Sequence, residues 1–242
     1  MKRAFDIIWE DDNYLVLNKK AGVLSIPDRY HDDKVNLFSL LVHYRGVIYP
    51  LHRLDKDTSG LMIYAKNEEA HKRMSELFED RKIYKEYSAI LTRTPFKENG
   101  IIETNLAASL HKKDQMVVSK KGKFAITEYE VIESFQDFSL CKIVIRTGRQ
   151  HQIRVHMAHL GHPLAIDKKY GVKTEIFAQD LKSKKFNPNR RGESKPLMSR
   201  HSLHAFKIGF AHPFTNEKMM FEAPYPKDFK ALLNQLRKWN NK

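Results

Sequence analysis

Residues 51–65 read LHRLDKDTSGLMIYA, a charged and irregular stretch that runs directly into an apolar one. The apolar run 61–65 predicts a buried strand, and the polar stretch before it predicts a loop fixed to that strand. Reacting side chains are often carried on such loops, because the sheet holds them in place. The simpler interpretation is a solvated turn in which Asp57, Thr58 and Ser59 bond to their own backbone. The segment alone leaves both interpretations open.

The composition is typical of a folded globular chain with a polyanionic partner. Hydrophobic residues make up 41% and charged residues 30% of the 242 positions. Lys and Arg number 43 against 29 Asp and Glu, and the resulting net charge of +14 favours nucleic acid. The single cysteine, Cys141, excludes an internal disulfide, fits a reducing cytoplasm and is expected to be a small buried hydrophobe. No apolar run is long enough to span a membrane, and early acidic residues argue against a secretion signal.

Strand-like runs outnumber helical patterns and follow one another without strand–helix alternation. This predicts an α+β protein with a mixed, mainly antiparallel sheet flanked by helices and loops. We expect one domain over residues 1–242, with a core at about 6–224.

Four helices are predicted from capping residues and apolar periodicity. Asn36 and Asn67 are placed to cap the first two helices, and a third is expected from Gln150 to Leu160. The last helix, over 226–240, is expected to bury Trp239 together with its leucines. The runs 203–210 and 218–222 flank a turn and predict a hairpin.

A second charged segment, RTGRQHQIRVH at 146–156, predicts the end of a strand, a turn and the start of a helix. Helix N-termini and arginine side chains both bind anions. Arg154 lies between apolar neighbours, and a buried arginine requires a carboxylate, for which Asp55 is the candidate. A carboxylate beside a guanidinium stays ionised and can act as a nucleophile at a sugar carbon or a pyrimidine ring. Tyr87, in a predicted strand, is either a core residue or a platform for a base.

The sequence disfavours two other chemistries. His156 and His159 have a spacing that a metal site could use, but the sequence shows no third ligand nearby, so we expect no metal and no cofactor. An aspartate phosphatase would place Asp55 after a hydrophobic strand and would require an acidic Mg²⁺ cluster, which is not evident.

Five blocks of sequence together resemble the pseudouridine synthases of the RluA type. The block HRLDKDTSGLMIYAKN (52–67) matches the catalytic HRLDxxTSGL motif of that family. The other four are DNYLVLNKKAG (12–22), KEYSAIL (85–91), GRQHQIRVHMAHLGHPLAIDKKYG (148–171) and SLHAFKIGFAHP (202–213). They occur in the family's order and cover nearly the whole chain.

The resemblance implies the pseudouridine synthase catalytic fold, with a curved sheet crossed by an RNA cleft. It implies that uridine is isomerised to pseudouridine on a flipped-out base, with Asp55 as the nucleophile, Tyr87 stacked on the base and Arg154 bound to Asp55. The atom that Asp55 attacks is left open. Substrate contacts are implied for other residues of the two motifs: His52, Arg53, Leu54, Thr58, Gly60, Arg149, His151 and Gln152.

Many relatives carry an S4-type RNA-binding domain before the DNYLVLNKKAG block, which begins here at Asp12. We therefore expect no S4 domain, and a catalytic domain that holds ribosomal or transfer RNA stem-loops itself, without an obligate protein partner. The basic segment 168–200 is either an additional RNA contact or a loop with scattered charge. The alternative function is a non-catalytic RNA-binding protein with the same fold.

Overall fold

The structure is a computed structural model that describes residues 4–27, 35–181 and 195–240 of the chain. It is an α+β protein with a mixed sheet, as predicted. In chain order its strands and helices are β1 (Phe5–Glu10), β2 (Tyr14–Lys19), α1 (Leu37–Arg45), β3 (Tyr49–Pro50), β4 (Ser59–Ala65), α2 (Glu68–Glu79), β5 (Tyr84–Thr92), β6 (Asn99–Ala108), β7 (Met116–Val118), β8 (Lys123–Ser134), β9 (Phe138–Ile145), α3 (Gln152–His159), β10 (Leu203–Ala211), β11 (Lys218–Glu222) and α4 (Lys227–Trp239).

The chain forms two compact units. The first comprises residues 1–86 and 204–224, and the second comprises residues 87–203 and 225–242. Each unit therefore takes segments from separate parts of the sequence. Such a division is compatible with one folding domain, and the single domain over 1–242 stays a prediction.

Strand β4 is central in the first unit, as its apolar sequence predicts. It pairs antiparallel with β2 and β3 and parallel with β10, and β10 in turn forms the predicted hairpin with β11. All seven residues of β4 are buried. A strand that is covered on both faces has an uninterrupted run of apolar residues, so the run at 61–65 indicated a buried strand.

The two helices of the first unit begin at the predicted caps. The Asn36 side chain accepts a hydrogen bond from the Ser39 N–H at 2.9 Å, and Asn67 accepts one from the Ala70 N–H at 2.8 Å. Ala70 and Met74 of α2 enter a core cluster that also contains residues of β2, β4 and β10. Helix α2 therefore packs against the sheet that contains β4.

The sheet of the second unit runs in the order β5-β9-β8-β6-β7. Strand β9 lies between two neighbours and is buried over most of its length. Helix α4 buries Phe229, Leu232, Leu233 and Leu236, but the expected burial of Trp239 is wrong, because 44% of this residue is exposed. Leu236 completes the buried face, and Trp239 one turn later lies at the solvent edge with the Lys238 ammonium 5.0 Å from its ring centroid.

Three features of the second unit were not predicted. Strands β6 and β7 were not predicted, because their exposed residues weaken the alternation of apolar and polar residues that indicates a strand. Helix α3 starts at Gln152, later than predicted, because the preceding residue His151 adopts a left-handed backbone with φ 53°.

The basic segment 168–200 contributes to the core at its described ends. Ile176, Leu181 and Met198 are buried together with residues of α4, and a short 3-10 helix spans Ala178–Leu181. Residues 182–194, which hold half of its Lys and Arg side chains, lie outside the described residues.

None of the helices within residues 4–27, 35–181 and 195–240 combines the length and the hydropathy that a membrane span requires.

Candidate active site

The loop that carries Asp55 is held by backbone contacts on both sides of that residue. The Ser25 hydroxyl donates to the Leu54 carbonyl at 2.7 Å and accepts from the Leu54 N–H at 3.1 Å. The Thr58 N–H donates to the Asp55 carbonyl at 3.0 Å, which closes a turn. Leu54 itself is buried, whereas Asp55 is partly exposed. The main chain at Asp55 is therefore fixed while its side chain stays accessible.

A buried lysine holds the other side of the loop. Lys19, at the end of β2, is fully buried, and its ammonium donates to the carbonyls of Lys20, Val23 and Lys56 at 3.0, 2.8 and 3.0 Å. The Gly22 N–H donates to the same Lys56 carbonyl at 2.9 Å. The segment 19–25 thus contacts the backbone directly before and directly after Asp55.

The His52 side chain makes its contacts within the protein. Its Nε2 accepts the Ile63 N–H at 3.0 Å, and its ring stacks on Phe78 with centroids 5.1 Å apart. Burial, and secondarily the charge of Lys85, lowers the pKa of His52 to about 3, so the imidazole is neutral and can accept that hydrogen bond. These contacts account for a histidine here without a substrate, and its predicted substrate contact stays a prediction.

Strand β4 begins under tight packing against β10. A Cβ at Gly60, whose φ is 121°, would lie 2.2 Å from the Ala205 carbonyl oxygen, so only glycine fits. The Ser59 hydroxyl and His204 Nδ1 are 2.9 Å apart in the buried interior. Thr58 is also buried, whereas Arg53 is exposed. Of the predicted residues in this loop, Arg53 is exposed, and His52 and Asp55 are partly exposed.

In the second unit, Gln152 organises the turn before α3. Its Oε1 accepts from the Thr147 hydroxyl at 2.8 Å and from the Arg149 N–H at 3.0 Å. Its Nε2 donates to the Ile126 carbonyl at 2.8 Å and to the Thr127 hydroxyl at 2.9 Å. The buried amide thus makes four hydrogen bonds within the protein, which explains the need for glutamine without a substrate contact.

Arg154 is buried and forms a bidentate ion pair with Asp167. Arg154 Nε and Nη2 donate to the two Asp167 carboxylate oxygens at 2.7 and 2.8 Å. Burial alone would raise the pKa of Asp167, but hydrogen bonds and charge from Arg154, with two backbone N–H groups, outweigh it and hold this pKa below its usual range. The prediction that a carboxylate accompanies the buried arginine is confirmed, with a partner that the sequence analysis missed.

An aromatic ring covers the same guanidinium. The Arg154 Cζ lies 5.0 Å from the ring centroid of Tyr170, whose hydroxyl accepts the Met116 N–H at 2.8 Å and lies 2.7 Å from His151 Nδ1. His151 is the residue directly before α3. The side chains of Arg154, Asp167, Tyr170 and His151 therefore form one connected cluster, which we call the Arg154 cluster.

The predicted site residues thus fall into two groups, one in each unit. His52, Arg53, Leu54, Asp55, Thr58 and Gly60 belong to the first unit, and Tyr87, Arg149, His151, Gln152 and Arg154 belong to the second. Tyr87 is buried on β5, and Arg149 donates from Nε to the Phe124 carbonyl at 3.0 Å. The pairing of Asp55 with Arg154 joins residues of different units and stays a prediction.

Side-chain groups of metal-ligand type do not converge within residues 4–27, 35–181 and 195–240, where no cluster of three or more His, Cys, Asp or Glu could hold an ion. His156 uses both ring nitrogens on hydroxyls, with Thr127 Oγ1 at 2.9 Å and Thr104 Oγ1 at 3.0 Å. Burial, followed by the charge of His159, lowers the pKa of His156 to about 4. His156 is a neutral core residue that ties α3 to the sheet.

Comparison with known proteins identifies the family. Residues 13–159 match the family model described as RNA pseudouridylate synthase. The chain is 36% identical over 241 residues to the RNA pseudouridine synthase YlyB of Bacillus subtilis, covering 96% of this chain and 73% of that protein. It is 35% identical to the ribosomal large subunit pseudouridine synthase D of Haemophilus influenzae, covering 96% of this chain and 71% of that protein.

Solved structures share the fold at lower sequence identity. The human RNA pseudouridylate synthase domain containing 4 superposes with a TM-score of 0.72 at 23% identity, covering 96% of this chain and 92% of that chain. The human domain containing 1 gives a TM-score of 0.68 at 23% identity, covering 98% of this chain and 96% of the other. Both human structures therefore support the fold expected from the sequence.

Proposed function

The chain belongs to the RNA pseudouridylate synthase family and is an RNA pseudouridine synthase, and from this premise we propose that its substrate is a specific uridine in ribosomal or transfer RNA. The observation that carries the proposal is the 35% identity to a relative named for the ribosomal large subunit. The net charge of +14 supports it, because a basic surface offsets the phosphate charge of RNA. We also propose a cytoplasmic location, where such RNA is available.

The reaction requires no external reagent, because uridine and pseudouridine have the same atoms. The N1–C1′ bond breaks and a C5–C1′ bond forms, while the proton on C5 is lost and N1 gains one. Asp55 is proposed to act as the nucleophile in this exchange. Its accessible side chain on a fixed backbone suits that role, since positioning a reacting group lowers the entropic part of the barrier.

Arg154 and Tyr87 are proposed to support Asp55. Arg154 would keep the carboxylate ionised and oriented, and Tyr87 would stack on the target base. A base inside a stem must be flipped out before any of these groups reaches it, at a cost of a few kcal/mol. Contacts to phosphates would offset part of this cost.

The experiment that tests the function is pseudouridine mapping of total RNA. RNA from cells with and without the gene is compared after restoring either the wild-type protein or the Asp55→Ala variant. We expect one site, or a few sites sharing a stem-loop, to disappear on deletion and to return only with the wild-type protein.

Two outcomes would contradict parts of the proposal. Sites that return with Asp55→Ala would remove Asp55 from the nucleophile role. Unchanged RNA, combined with RNA binding by the purified protein, would favour the alternative of a non-catalytic RNA-binding protein.

A further inference from the structure

The Arg154–Asp167 ion pair is deeply buried. The exposed side-chain fractions are 7% for Arg154 and 0% for Asp167. The other bidentate Arg–Asp pair of this unit, Arg200 with Asp228, has fractions of 10% and 34%. A buried pair of this kind contributes little net stability compared with apolar residues, so its retention calls for another explanation.

Backbone hydrogen bonds hold the Asp167 carboxylate in place independently of Arg154. Its Oδ1 accepts the N–H groups of Lys169 and Tyr170 at 2.9 and 3.1 Å. Its backbone N–H donates to the Lys173 carbonyl at 3.0 Å, and its carbonyl accepts from the Gly171 N–H at 2.9 Å. The turn that follows Asp167 therefore sets the plane of the carboxylate, and the guanidinium must align with it to form both hydrogen bonds.

Tyr170 fixes the guanidinium in the remaining direction. The ring lies against one face of Arg154, at 5.0 Å from Cζ to the centroid, and the hydroxyl is anchored by Met116 and His151. Asp167 engages the edge formed by Nε and Nη2. With one edge and one face engaged, these contacts define the direction of the edge that carries Nη1.

We propose that Asp167 is a positioning residue for the reaction, which acts by fixing the orientation of the Arg154 guanidinium. This inference rests on the proposed function, in which Arg154 orients the nucleophile. Neither Asp167 nor Tyr170 is required to touch the RNA. A displacement of about 1 Å at a catalytic group can lower a rate about 100-fold, and this is the effect we expect when the carboxylate is altered.

The test is a double-mutant cycle on the rate of tritium release. The substrate is total RNA labelled with [5-³H]uridine from cells that lack the gene, with the enzyme in excess. Release is measured for wild type, Asp167→Asn, Arg154→Lys and the double variant. If Asp167 acts through Arg154, Asp167→Asn lowers the rate about 100-fold in the wild-type background and less than about threefold in the Arg154→Lys background.

Two controls separate positioning from folding. Asp228→Asn disrupts the matched bidentate pair with Arg200, whose distances are 2.6 and 2.9 Å, and should leave tritium release unchanged. Filter binding of the same RNA should change less than about threefold for Asp167→Asn, because the residue acts on turnover and not on RNA affinity.

A second variant keeps the inference testable if Asp167→Asn does not fold. Asp167→Glu retains the charge but moves the carboxylate by one methylene group, so a positioning role predicts slow release at unchanged RNA affinity. Wild-type release by Asp167→Glu would overturn the inference, as would multiplicative effects in the cycle. A wild-type protein that releases no tritium would overturn the proposed function and this inference with it.

Discussion

The loop that carries Asp55 and the turn that carries Arg154 are held in different ways. Around Asp55 the support acts on the main chain, through Ser25, Lys19 and Gly22 contacts to Leu54 and Lys56. Around Arg154 the support acts on side chains, through Asp167 and Tyr170. The first arrangement fixes where a side chain starts and leaves its end accessible, whereas the second fixes the end itself.

This difference suits the two proposed roles. A nucleophile must move over a short distance as its bond forms, so a fixed backbone with an accessible carboxylate is sufficient. An orienting cation is effective only if it does not move, because reorganisation during the reaction would lose part of its stabilising effect. Substitutions in the two regions should therefore have different signatures.

The largest expected effect is at Arg154. We predict that Arg154→Ala lowers turnover about 1,000-fold and changes RNA affinity less than about threefold, because a preorganised charge acts mainly in the transition state. Tritium release and filter binding measure the two quantities. Arg146→Ala is the matched control, since this exposed arginine of the same segment pairs with Glu128 at 2.7 Å and should behave as wild type. Normal turnover with weak binding would instead make Arg154 a phosphate contact.

The main-chain support predicts a stability effect at Lys19. Lys19→Met leaves the carbonyls of Lys20, Val23 and Lys56 without this donor, which should lower the free energy of unfolding by about 3 kcal/mol and slow turnover as the loop loosens. Urea unfolding and tritium release measure both. The neighbouring Lys20→Met is the control, because Lys20 is partly exposed and pairs with a partly exposed Asp6, so its loss should change stability by less than about 0.5 kcal/mol. A Lys19→Met protein as stable as wild type would contradict the claim that main-chain contacts from Lys19 hold the loop that carries Asp55.

A smaller effect, dependent on pH, is expected in both regions. The pKa of His156 is lowered to about 4, below the value of about 6.5 in the unfolded chain. Between these values the unfolded chain binds more protons, so stability falls as the pH falls. We predict a loss of about 2 kcal/mol from this residue between pH 7.5 and pH 5, and His156→Gln should remove that part of the slope.

Urea unfolding at several pH values measures this slope. His52, with its pKa lowered to about 3, should add a similar term from the first unit. A wild-type protein of equal stability at pH 5 and pH 7.5 would show that the two histidines are not buried as neutral rings.

Much of the fold could be predicted because local signals agreed with tertiary ones. Asn36 and Asn67 cap their helices as expected, and the apolar run at 61–65 is the central strand β4. Strands β6 and β7 could not be recognised from the sequence, because their exposed residues give only a weak apolar alternation. Both are strands because β6 pairs with β8 and with β7. Burial of Trp239 depended on where α4 ends relative to the core, which periodicity alone does not specify.

The candidate site was predictable in its chemistry and only partly in its contacts. The sequence indicated that Arg154 is buried and needs a carboxylate, and Asp167 in the DKKYG stretch was the missed partner, 13 residues further along the chain. The positions of Gly60 and Gln152 within the two motifs were visible, but not their packing and hydrogen-bonding reasons. The packing of Gly60 depends on β10, and the hydrogen bonds of Gln152 depend on β8. The spacing of residues in the sequence does not predict which strands pair or in which register.

The division of the first unit between residues 1–86 and 204–224 has a consequence for the newly made chain. His204, which bonds Ser59 beside the Asp55 loop, leaves the ribosome more than a hundred residues after that loop. At about 5–20 residues per second, the loop waits roughly 7–29 s for the strand that completes its sheet. The order of synthesis therefore delays the enzyme's maturation, and a chain interrupted before β10 would contain every predicted site residue but would lack the strand that packs beside the loop.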